Sequence, residues 1–84
     1  MRVSWVIEGK GGDSVTVEDA EKAHTALCGA IRQAYKGLGP GALATLLSPV
    51  YALRLAMVTD GRTAVERGDE WTTRAGGILV TLSP

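Results

Sequence analysis

His24 and Cys28 stand four residues apart in Glu21-Lys-Ala-His-Thr-Ala-Leu-Cys-Gly. That spacing places both side chains on one side of a helix and could seed a metal site. A closed zinc site takes about four ligands and a catalytic one about three, whereas the chain holds one histidine and one cysteine in all. The pair therefore reads as a core-edge imidazole bonded to a carbonyl beside a small buried thiol, with no metal and no cofactor expected. Asp60, Glu66, Asp69 and Glu70 crowd a second region, with Arg62 and Arg67 among them. Paired carboxylates do acid and base chemistry only where burial separates their pKa values. These sit at turns or opposite arginines, so a salt-paired, solvated rim is expected. No nucleophile with an attendant base can be assembled, and the chain is read as not an enzyme.

Two further stretches could hold an anion. Glu8-Gly-Lys-Gly-Gly-Asp-Ser could form a backbone nest beside Lys10, but it lacks the glycine-to-lysine spacing of a phosphate-binding loop, and a hairpin turn is expected there. Lys10, Lys22, Arg32 and Lys36 make a modest basic set that could touch an anionic ligand or nucleic acid, weakly and with strong salt dependence. The helix charges run from acidic to basic along its axis, however, as its own macrodipole favours, and no aromatic residues interleave with them for base stacking. Nine basic and nine acidic residues cancel over the whole chain, which removes the broad field of a dedicated nucleic-acid binder. Arg67-Gly68-Asp69 spells an adhesive tripeptide and is taken as incidental.

The elements that must position these residues begin with one helix, expected over Val17 to Gly37. Ala20, Ala23, Leu27, Ala30, Ile31, Ala34 and Leu38 fall on one face at 100° per residue, with Glu21, Lys22, Thr25, Arg32, Gln33 and Lys36 opposite. Thr16 is expected as its N-cap, with Asp19 in a capping-box position, and Gly37 to Gly41 as its end. Before it, Arg2 to Glu8 alternate as a strand with Val3, Trp5 and Ile7 inward, and Ser14 to Val17 could add a short second strand. After it, Leu38 to Pro49 reads as a connection with a helical turn near Ala42 to Leu47.

Alternation then returns over Val50 to Thr59, with Tyr51, Leu53, Leu55 and Met57 on one side. A bulged hairpin around Thr59-Asp60-Gly61 would pair Leu55 with Val65 and Arg54 with Glu66. A short strand follows at Glu70 to Thr73, and Ile78, Val80 and Leu82 point inward from a last strand. The expected fold is one α+β domain over residues 1–84: a two-layer sandwich of one main amphipathic helix on a mostly antiparallel sheet of four to five strands, in the order β-α-short helical turn-β-β-β-β.

One helix covers one sheet face. The other would carry Val6, Ala52, Ala56, Val58 and Leu79 alongside Arg54 and Thr81, too apolar a set to stand in water unless the connection from Leu38 to Pro49 wraps over it. Val6, Arg54, Ala56, Val58 and Leu79 are therefore the expected interaction residues, with a second copy of the chain or another protein as partner. A single cysteine fits a reducing compartment, and no stretch reads as a signal peptide or membrane span, so a cytoplasmic protein without membrane contact is expected. The functional expectation is a small protein-interaction module acting as a regulator, an inhibitor or a structural component, a viral one included.

Overall fold

A computed structural model describes residues 1–84. The chain forms an α+β fold with a four-stranded antiparallel sheet. β1 spans Arg2–Ile7 and β2 spans Gly11–Thr16. Helix α1 runs over Ala20–Ala34. A helical arm then occupies Pro40–Glu66, built from α2 (Pro40–Ala52), α3 (Arg54–Ala56), a π-helical turn (Met57–Gly61) and α4 (Arg62–Glu66). β3 (Trp71–Ala75) and β4 (Ile78–Ser83) complete the sheet in the order β2-β1-β4-β3.

The strands form where alternation is strict. Val3, Trp5 and Ile7 on β1 and Ile78, Val80 and Leu82 on β4 are all buried, and they face one another as Val3↔Leu82, Trp5↔Val80 and Ile7↔Ile78. The β1–β2 connection closes with the Lys10 N–H donating to the Ile7 carbonyl at 2.9 Å, and Gly9 there takes φ 76°, open to glycine at no steric cost. Gly76-Gly77 joins β3 to β4 as a two-residue loop, with Gly76 at φ 61° as a type II′ turn requires.

Helix α1 buries Ala20, Ala23, His24, Leu27, Cys28 and Ile31. Ala34 and Leu38, expected on that face, are exposed because the helix ends at Ala34. Its N-cap is Asp19, whose carboxylate accepts the Lys22 N–H at 2.8 Å. Thr16 does not cap it. Thr16 is the last residue of β2, paired with Arg2, and Val17 is still tied to the sheet by its N–H to the Met1 carbonyl at 2.8 Å.

The largest correction concerns Val50 to Glu66. No strand and no bulged hairpin form there: the segment is helical throughout apart from one turn residue at Leu53. Nor does Ser48-Pro49 end a helical turn, since Pro49 lies inside α2. The physical reason is coverage. Four strands at about 4.8 Å spacing present a face roughly 15–19 Å across, and one helix covers about 10 Å of it. A second helix is needed on the same side, and the arm supplies it by burying Leu47, Val50, Met57, Gly61 and Ala64, which recur at helical intervals. Gly61 is not a turn residue. A Cβ there would lie 2.8 Å from Leu82 Cδ1 and 3.0 Å from Trp71 Cε3, so glycine is what lets the arm rest directly on β3 and β4.

Candidate functional site

The arm packs against α1 and is joined to it by three polar contacts. His24 Nε2–H donates to the Val50 carbonyl at 2.9 Å, which fixes the imidazole tautomer and satisfies a buried ring. The same carbonyl accepts the Leu53 N–H at 3.1 Å, a tightened turn just after Pro49. On either side, Arg54 pairs with Glu21 and Arg32 donates to the Tyr51 hydroxyl while lying 5.7 Å from its ring centre. Cys28 Sγ sits 3.8 Å from His24 Nε2, and burial raises its thiol above the usual value, with Arg32 pulling it the other way. The expected carbonyl partner of His24 is thus the arm itself. No cluster of three or more His, Cys, Asp or Glu side chains suited to a metal ion is formed.

The expected interaction residues are divided by the helical course of the arm. Val6 and Leu79 pair on the outer sheet face, where with Glu8 and Arg74 they line a shallow hollow of about 330 Å³. Arg54, Ala56 and Val58 are not on the sheet at all. They belong to α3 and the π turn, with Arg54 engaged by Glu21 and the other two half-buried. Without Ala52, Ala56 and Val58, the outer sheet face is largely hydroxylic: Ser14, Ser4, Thr81 and Thr72 align across the four strands, and the last two hydroxyls lie 3.2 Å apart. The expected apolar surplus on that face reduces to Val6 and Leu79.

The basic residues are likewise dispersed. Lys22 binds Glu18 at 2.7 Å in the first turn of α1, Lys10 lies 4.9 Å over the Tyr35 ring, Arg32 serves Tyr51, and Lys36 is exposed beyond the helix end. Lys22 lies in the first turn of α1 and Lys36 beyond its last residue, at opposite ends of the helix. Asp69 pairs with Arg67 at 3.5 Å on the exposed turn, while Asp60, Glu66 and Glu70 are exposed.

Two features were missed in the sequence. The first is the outer side of the arm. From Gly37 to Leu53 the sequence carries no charged residue, and of the arm's most apolar 18 residues only 17% are buried. Tyr51 is 45% and Leu55 69% exposed on it. As one helical arm, Pro40–Glu66 is long and apolar enough to cross a membrane by length and composition, which a connection over Leu38 to Pro49 followed by a strand over Val50 to Thr59 does not suggest. The available signal was helical spacing of Leu47, Val50, Met57 and Ala64 superimposed on the alternation.

The second feature is a wedge of about 410 Å³ between the arm and one end of the sheet. Ile7, Ala75 and Ile78 form its apolar floor, Leu46 and Pro49 its roof. Tyr35 closes a side, and Glu8, Thr45 and the Gly76-Gly77 turn line the rest. It exists because the arm touches the sheet closely at Gly61 and stands off at Leu46 and Pro49. Comparison with protein-family models, curated proteins and solved structures finds no match.

Proposed function

We propose that the chain is a small non-enzymatic interaction module that docks on a second copy or another protein through the outer side of its helical arm. The observation that carries this reading is Leu55, 69% exposed beside Tyr51 on a helix whose preceding residues are uncharged from Gly37 to Leu53. An apolar helix side of this kind is stabilised by covering it, and in a small domain the covering surface adds materially to the fold. The arm is rigidly presented, because Leu47, Val50 and Met57 anchor its other side. The exposed edge strand β2 and the Val6–Leu79 pair are secondary contact points.

The test is native mass spectrometry of the protein and of Leu55→Glu, together with sedimentation against vesicles of neutral and anionic lipid. The expected result is a stoichiometric homo-oligomer or protein complex that Leu55→Glu dissolves into a folded monomer of lower thermal midpoint. A complex that survives Leu55→Glu removes the arm as the interface. Sedimentation with vesicles, lost in the variant, would replace the protein partner by a bilayer surface.

A further inference from the structure

We infer that the wedge between the arm and the sheet is a binding site for an ammonium group carried on a compact apolar body. The wedge's volume of about 410 Å³ lies within the roughly 300–1,000 Å³ of small-ligand sites, and its floor and roof are aliphatic. What selects the ligand's charge is the rim.

Four features there favour a cation. Glu8 is the one charged side chain lining the wedge, and it takes part in none of the chain's three ion pairs. Residue 49 is proline, so the Thr45 carbonyl four residues earlier has no helical N–H to accept, and both residues line the wedge. Tyr35 is the C-terminal cap of α1, which brings the negative end of that helix's dipole to the site. The ring of Tyr35 already attracts an ammonium: the chain's own Lys10 Nζ lies 4.9 Å from its centre. Glu8, Thr45 and Tyr35 thus ring one slot, with the Glu8 carboxylate over Gly77 at the edge the wedge shares with the outer hollow beside Arg74. The apolar body fills the space between Ile7, Ile78 and Leu46 and the ammonium sits toward Glu8. Lys10 is a built-in competitor for the aromatic face.

The group could be a free amine or a lysine side chain, and the probes separate them. Amide-resolved NMR titrations would use phenethylamine, Nα-acetyl-lysine methylamide, and the uncharged and anionic counterparts phenethyl alcohol and hydrocinnamate. The expected result is that an ammonium probe shifts Glu8, Tyr35, Thr45, Gly76 and Gly77, binding roughly tenfold more tightly than its uncharged counterpart. The tighter of the two ammonium probes identifies the source. Glu8→Gln, at an exposed position, should erase that preference with the fold intact, and Lys10→Ala should strengthen amine binding by removing the competing cation. Weaker amine binding in Lys10→Ala, equal binding of hydrocinnamate, or no shifts at these residues with either ammonium probe would overturn the assignment.

Discussion

The two halves of the helical arm meet the same sheet in opposite ways. At one end, Met57, Gly61 and Ala64 are buried and Trp71 and Leu82 press against the bare Cα of Gly61. At the other, Leu46 and Pro49 stand off from Ile7 and Ile78 and leave the wedge. Composition explains the difference. Glycine removes the side chain that would hold the arm away, whereas Pro49 removes a helical hydrogen bond and pushes on the turn before it. Both halves are anchored, the open one by Leu47 and Val50, but only the open half leaves accessible space against the sheet.

Substitutions can break this contrast, and the largest effect is expected at the closed end. Met57→Ala empties a fully buried position and should cost about 2–5 kcal/mol in urea unfolding, while Leu46→Ala over the wedge should cost less than about 1.5 kcal/mol. Equal losses at the two sites would mean that the wedge is packed in solution. Gly61→Ala comes next: a methyl 2.8 Å from Leu82 Cδ1 must displace the arm, at about 1–3 kcal/mol despite alanine's better helix propensity. A stabilised Gly61→Ala would show that the arm can lift without loss.

At the open end the sign reverses. Pro49→Ala restores an N–H for the Thr45 carbonyl and should stabilise the protein by about 1–3 kcal/mol in thermal unfolding, while weakening amine binding to the wedge. A neutral or destabilised variant would show that the bend is itself needed for packing.

The smallest effect sits between the halves, at Cys28. Burial holds its thiol above the ordinary value of 9.0, so the folded state keeps the proton more tightly than the unfolded chain does. The stability carried by the neutral thiol is complete below the ordinary value of 9.0 and is lost as pH rises from there through the higher value of the folded state. Wild type should therefore lose stability relative to Cys28→Ser on going above about pH 9. Parallel urea melts on both sides of that pH would show it, and coincident pH profiles would place the thiol in contact with water.

The legible parts of this chain were those where one periodicity stood alone. Val3, Trp5 and Ile7, or Ile78, Val80 and Leu82, alternate against polar neighbours, and Ala23, Leu27 and Ile31 recur at helical spacing with charges opposite. Asp19 was correctly a capping residue but was placed one turn too far inside the helix, because Thr16 is claimed by the sheet. Val50 to Val58 fits a strand and a helix equally well because leucine and methionine fill one alternating set and alanine and valine the other, leaving apolar residues on both sides. The misreading moved Arg54, Ala56 and Val58 onto the sheet and concealed the wedge.

Local sequence by itself determined two strands, one amphipathic helix and the glycine turns, since these follow from side-chain period and backbone sterics. Tertiary structure alone decided the state of Val50 to Glu66. A four-stranded face is wider than one helix, and the second helix that covers it could be chosen only once β1 and β4 had paired across nearly the whole length of the chain.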